Sequence, residues 1–186
     1  YDVYGNTNVL RGPVDPAYPG LPGPIQAILA YNQNVGDVTT SGVDVSLRGS
    51  TPTTRYGRFT FSLAGTYVHE FTASLPGLDP QRGAGRYGPF GAVPRWRHYA
   101  QLAWQLGAWS ATLANMFQSG VTDAGPDGQG DSRRVGNYSL WDLQAAWNGG
   151  GAAKIAVGVR NLLDTDPPFT NAGPNGFDQA YAQTRG

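Results

Sequence analysis

The sequence predicts an all-β fold, an antiparallel transmembrane β-barrel of which this chain supplies about six to seven strands. Three observations carry that reading. Apolar and polar residues alternate with period two in six separate segments; short and long connections alternate between the segments; and the charges inside the segments all fall on the face opposite the apolar residues.

Composition sets the frame. Charged residues make up 14% of the chain, against about 25% in an ordinary soluble protein. Gly (27 residues) and Pro (14) are plentiful and aromatics reach 12%, which suits turns joining Tyr-, Phe- and Trp-rich strands and suits helices poorly. The net charge is zero, so the basic excess of a nucleic-acid binder is missing and no nucleic-acid partner is expected. The absence of Cys excludes disulfides and thiolate metal sites. No apolar run approaches the ~18 residues of a membrane-spanning helix. The chain opens on Tyr1, without Met or a signal peptide, and reads as a piece of a longer protein.

Residues 1–37 read mostly as loop. Tyr1–Tyr4 could end a preceding strand, Gly12–Pro24 is rich in Pro and Gly, and Ile25–Asn34 suits either a strand extension or a short helix. Residues 38–162 carry the strands. Val43, Val45 and Leu47 alternate with Asp44, Ser46 and Arg48. Phe59, Phe61, Leu63, Tyr67 and Phe71 share one face of Gly57–Phe71, opposite Arg58, Thr60, Ser62, Thr66 and Glu70. Ala100, Leu102, Trp104 and Leu106 alternate with Gln101, Ala103 and Gln105, and then Trp109, Ala111, Leu113 and Phe117 with Ser110, Thr112 and Gln118. Trp141, Leu143, Ala145 and Trp147 face away from Asp142, Gln144 and Asn148, as do Ile155, Val157 and Val159 from Lys154, Gly158 and Arg160. Residues 163–186 read as a loop ahead of one further strand beyond Gly186.

Ser50–Tyr56, Gly107–Ala108 and Asn148–Ala152 are short turns, whereas Thr72–Pro94, Gly120–Val135 and Leu163–Gly186 are long linkers. Membrane barrels have that asymmetry, with short periplasmic turns and long outer loops. Asp44, Arg48, Arg58, Glu70, Arg97, Asp142, Lys154 and Arg160 all phase with the polar face. A bilayer explains this, because a lipid-facing Arg or Lys at mid-depth costs about 2–4 kcal/mol. Tyr67, Trp96, Tyr99, Trp109, Tyr138 and Trp147 cluster near strand ends, as interfacial aromatic girdles do. Asn115, alone on the apolar phase at mid-strand, has no explanation at this level.

Four segments resemble the last third of TonB-dependent outer-membrane receptors. They are Asn34–Leu47 with its Gly-Val-Asp opening, Gly65-Thr-Tyr-Val-His69, Pro94-Arg-Trp-Arg-His98, and Gly158-Val-Arg-Asn-Leu-Leu-Asp164 followed by Asp166-Pro-Pro-Phe169. They occur in family order. The resemblance implies the C-terminal part of a barrel of about 22 strands in the bacterial outer membrane. It implies import of a scarce nutrient such as a ferric siderophore, cobalamin, haem or an oligosaccharide. The implied partners are outer-membrane lipid, the receptor's own N-terminal plug and TonB. Neither plug nor TonB-binding segment lies in this sequence.

Candidate sites are few, and neither an enzyme nor a cofactor is expected. His69 and His98 are the only histidines and read as interfacial strand residues. Asp123, Asp127 and Asp131 lie in a Gly-rich stretch without the EF-hand spacing, and are expected to be solvated loop residues. Gly83-Ala-Gly-Arg-Tyr-Gly88 lacks the Lys-Ser/Thr end of a phosphate loop. Arg95-Trp-Arg97 reads as an interfacial anchor. For a ligand, the expected loop contacts are Arg82, Arg86, Tyr87, Arg133 and Arg134. Two other readings compete: an autonomous barrel of about eight strands, and a soluble secreted β-sandwich that binds carbohydrate through exposed aromatics.

Overall fold

The computed structural model describes residues 9–29, 36–88, 91–126, 132–151, 153–171 and 176–177, with backbone alone at 124–126. Its strands are β1 (Val9–Arg11), β2 (Ile25–Ile28), β3 (Asp37–Ser50), β4 (Arg58–Ser74), β5 (Gln81–Arg82), β6 (Arg86–Gly88), β7 (Gly91–Val93), β8 (Trp96–Leu106), β9 (Trp109–Gln118), β10 (Val121–Pro126), β11 (Ser132–Val135), β12 (Tyr138–Asn148) and β13 (Lys154–Val159). They fall in two compact units, Tyr1–Val35 and Gly36–Gly186.

In the first unit β1 and β2 pair antiparallel, closed by the Gly12 N–H donating to Pro24 O at 2.8 Å and by Arg11 Nη1 donating to Gly23 O at 3.0 Å. Of the two conformations open to Ile25–Asn34, residues 25–28 take the extended one; Tyr1–Tyr4 lie outside the described residues.

The second unit is built on one sheet in the order β3-β4-β8-β9-β12-β13, a sequential antiparallel meander with β5 added beside β4. Its six main strands, five of them long, are the six alternating segments of the sequence. The tightest turn, Gly107–Ala108, joins β8 and β9 with Gly107 at φ 55°, the Gly-first pattern whose twist suits a two-residue hairpin.

Residues directly opposite one another share a face, so the register reads out both sides of this wall. Leu143, Leu113, Leu102 and Phe61 form one row; Tyr138, Gln118, Arg97, Thr66 and Asp44 form another on the opposite face. Four of the six girdle aromatics, Tyr67, Trp96, Trp109 and Trp147, lie on the apolar side. Tyr99 and Tyr138 do not: Tyr99 stands opposite Met116 and Ala64 on the polar face, and Tyr138 opposite Gln118. They sit one residue out of phase with the apolar positions, which proximity to a strand end does not reveal.

A bulge makes a second correction. Gly42 faces Val68, but Ser41 faces Glu70, so His69 is an extra residue in β4. Beyond it the phase inverts. Glu70 moves to the side of Ser41 and Val43, and Phe71 to the opposite side, reversing the facing expected from strict alternation. Arg95 holds the bulge, donating from Nη1 to His69 O at 3.0 Å while its own carbonyl accepts from the Val68 N–H at 2.8 Å.

The apolar face is bare. Val43, Leu102, Trp109, Leu143, Ile155 and Val157 are all exposed, Val157 at 65%. A β-sandwich would cover this face with a second sheet; among the described residues nothing does. The buried apolar cluster sits instead at the long-connection end of the wall. Val121 and Val135 of the connections pack there on Tyr138 and Leu140, with Tyr87, Ala92 and Met116 around them. Because Met116, Tyr138 and Leu140 belong to the polar face, the connections fold over that side of the wall.

Candidate ligand-binding loops

The long connections carry strands of their own. β11, β10, β6 and β7 form a four-stranded sheet in that order, antiparallel except for the parallel β10–β6 pair. One face, with Val121, Val135, Tyr87 and Ala92, meets the cluster just described. The other bears the row Arg134–Thr122–Arg86–Val93.

Four of the five expected contact residues are therefore on this sheet. Arg86 and Arg134 flank Thr122 on its outer side, two strand spacings or roughly 10 Å apart. Tyr87 is turned inward, half-buried against the cluster. Arg133 is exposed, and its guanidinium lies over the Phe169 ring, 4.4 Å from the centroid. Arg82 is elsewhere, on β5 opposite Thr72. A cleft of about 400 Å³ between β4–β5 and β6–β7 nevertheless brings Arg82, Arg86 and Tyr87 to one lining, with Phe71, Gln81 and Val93.

Asp123 corrects an expectation. It stands opposite Tyr87 on the covered face and is 1% exposed. Its Oδ1 accepts from the Thr170 hydroxyl at 2.5 Å and its Oδ2 from the Asn171 N–H at 3.2 Å, so the third connection is fastened over it. A carboxylate read as solvated is in fact a buried clasp. Asp127 and Asp131 lie outside the described residues.

Asn115 also finds its account. Trp96 Nε1 donates to His98 Nδ1 at 2.8 Å, which leaves the His98 proton on Nε2, 3.1 Å from Asn115 Oδ1. Asn115 Nδ2 in turn donates to Ser139 Oγ and Leu140 O, each at 3.0 Å. This polar chain crosses three strands at the loop end of the apolar face, and Asn115 is 7% exposed within it. Trp96 completes the group by lying over Gly65, where a Cβ would come within 2.7 Å of the ring. His98 is thus a member of a closed hydrogen-bond chain, while His69 is the exposed bulge residue.

The Gly158–Asp164 motif ends β13. Asn161 (φ 51°) donates its N–H to Asp142 Oδ1 at 2.8 Å, its side-chain oxygen accepts from the Thr165 N–H at 2.9 Å, and its Nδ2 donates to Thr165 O at 3.1 Å. The amide imitates a backbone pair, tying the start of the third connection to β12.

A family described as TonB dependent receptor-like, beta-barrel matches residues 2–162. The chain belongs to that family. No curated protein and no solved structure matches it. The TonB-dependent receptor family is one of receptors and transporters typical of the bacterial outer membrane, and its members work with a plug domain and TonB. The receptor's family motifs acquire physical roles in this geometry: Arg95 locks the bulge, Gly65 admits Trp96, and Asn161 closes the last turn.

Proposed function

We infer that this segment is the C-terminal part of the outer-membrane wall of a receptor importing a scarce nutrient. The nutrient is a ferric siderophore, cobalamin, haem or an oligosaccharide. The apolar face lies in lipid, the long connections face outward, and the tight turns face the periplasm. The receptor's own plug and TonB act from outside this segment, and no nucleic acid takes part. Arg82, Arg86, Tyr87, Arg133 and Arg134 contact the nutrient from the loops. The bare apolar face carries this reading, because an exposed apolar surface of that extent needs a non-aqueous solvent.

The test is sidedness in intact cells. Asp79 lies in the first long connection and Ala108 in the tightest turn, both exposed. Single cysteines, Asp79→Cys and Ala108→Cys, are exposed to an impermeant thiol reagent in the full-length receptor. Label at residue 79 and none at 108 is expected; the reverse would invert the topology and remove the reading.

A further inference from the structure

We propose that Arg55, on the turn joining β3 to β4, binds the phosphate of an anionic glycerophospholipid whose acyl chains lie along the bare apolar face. This rests on the lipid and periplasmic assignments of the preceding section and adds the headgroup class of the lipid at that end.

The turn end of the wall is positive. Residues 47–62, 102–113 and 144–158 cover the short turns and the strand ends beside them, and they hold Arg48, Arg55, Arg58 and Lys154 but no Asp or Glu. The whole chain has 13 charged residues of each sign, so the excess is local. Arg48 stands toward mid-wall, in the row of Gln101 and Asp142. Arg58 phases with the polar face, and its Nε donates to Thr53 Oγ1 at 3.2 Å. Lys154 is on β13, at the far side of the sheet. Arg55 is the cation at the rim of the apolar face.

The turn fixes it there. The Thr51 N–H donates to Phe59 O at 2.9 Å and the Phe59 N–H to Thr51 Oγ1 at 3.0 Å, while Thr54 and Gly57 exchange backbone bonds of 3.2 and 3.0 Å. Trp104, opposite Phe59 on the apolar side, donates from Nε1 to Tyr56 O at 2.7 Å and so draws the turn toward that side. Gly57 (φ 96°) permits the approach, since a Cβ there would come within 2.8 Å of the same indole nitrogen. The Arg55 guanidinium lies over the exposed Tyr56 ring, 4.6 Å from its centroid, and donates to the Tyr56 hydroxyl. A neutral phenol leaves the charge uncompensated.

The surroundings set the depth and the ligand. Trp104 is followed toward the turns by the row Leu106, Trp109, Trp147 and Ile155, in which the two indoles meet at 6.3 Å. Indoles on a lipid-facing surface mark the headgroup level, where the phosphates lie. A guanidinium is a rigid fork of donors matched to two oxygens of a phosphodiester. A zwitterionic headgroup brings its own ammonium, which this acid-free turn repels; a headgroup charged only at its phosphate does not.

A fluorophore beside the turn tests this in the full-length receptor, reconstituted in vesicles with Ala108→Cys as its sole cysteine and labelled with bimane. Ala108 is exposed, and the neighbouring Gly107 shares a cleft with Thr53, Gly57 and Arg58. Brominated phosphatidylglycerol should quench the label with a relative binding constant about fivefold above that of brominated phosphatidylcholine, the preference of one basic residue at an anionic surface. Arg55→Gln should bring the ratio near one, and Arg55→Lys should keep about two- to threefold, charge being retained and the fork lost. Arg82→Gln, at the other end of the wall, should leave the preference intact. Equal quenching by the two lipids in the receptor with Arg55, or a full preference surviving in Arg55→Gln, would overturn the proposal. So would an equal loss in Arg82→Gln, which would make the preference one of overall charge. Inorganic phosphate abolishing the preference would assign Arg55 to free phosphate and overturn the lipid. A receptor that passes the labelling test at residues 79 and 108 yet shows no headgroup preference loses this inference alone.

Discussion

The receptor segment contains two kinds of β-sheet, and they are held together differently. The wall of β3, β4, β8, β9, β12 and β13 is joined by continuous antiparallel ladders from strand to strand and has a bare apolar face. Its long strands run with 10 to 17 residues over β3, β4, β8, β9 and β12. The loop sheet of β6, β7, β10 and β11 has strands of 3 to 6 residues, yet it covers the buried cluster around Val121, Val135 and Tyr138. The wall's inner strands β4, β8, β9 and β12 are paired on both sides, so their backbone groups are satisfied within the sheet. The loop sheet folds as soluble proteins do, by removing apolar side chains from water. A substitution therefore acts on one region through its solvent and on the other through its packing.

The sharpest break in that comparison is a charge placed on either side of the wall. Leu143 and Gln144 are neighbours at the middle of β12 on opposite faces. Leu143→Arg should cost about 2–4 kcal/mol and reduce the heat-modifiable, membrane-inserted receptor, while Gln144→Arg should be tolerated. Equal yields of the two proteins would dissolve the distinction between faces.

Next comes the loop core. Val135 is 2% exposed, and Val135→Ala should cost about 2 kcal/mol from lost burial and the cavity left behind. The cost should appear as faster hydrogen exchange and proteolysis across 121–135, with heat-modifiability of the wall unaltered. A variant that also failed to insert would show the two regions to be one cooperative unit.

Asn115 tests the single place where the wall behaves like a soluble interior. Asn115→Ala would strip partners from His98 Nε2, Ser139 Oγ and Leu140 O together. The expected loss is about 1–3 kcal/mol, the cost of leaving buried polar groups unpaired, read as a lower temperature of conversion to the unfolded band. Unchanged thermal behaviour would mean that the chain of hydrogen bonds adds nothing.

The two regions were also unequally legible. The six wall strands could be read because each alternates apolar and polar residues with period two. The bulge at His69 leaves no such trace: Val68, His69 and Glu70 read equally well as continued alternation, and only the pairing with Gly42 and Ser41 betrays the slip. Asn115 looked anomalous because its partner His98 belongs to a neighbouring strand, and register is not written in either strand alone. In the loops, Arg82, Arg86 and Tyr87 were expected as contacts from residue type and position, and the three line one cleft. The parallel pairing of β6 with β10 was not readable, since it joins short, Gly-flanked pieces from different connections. That pairing is what buries Asp123, so a residue expected in water became a clasp.

The smallest effect concerns how the third connection is held. Beyond its start at Asn161, the contacts that hold it include the Asp123 carboxylate, gripping Thr170 and the Asn171 N–H, and the Arg133 guanidinium over Phe169. The first is buried and charge-assisted; the second is at an exposed arginine, where such contacts contribute about 0.5–1 kcal/mol. Arg133→Ala should therefore raise amide exchange over residues 165–171 only about two- to fivefold. Thr170→Val, which takes a donor from the buried carboxylate, should raise it more over the same stretch. If Arg133→Ala had the larger effect, the connection would be governed by its exposed surface. Its kinship with the buried loop core would then be lost.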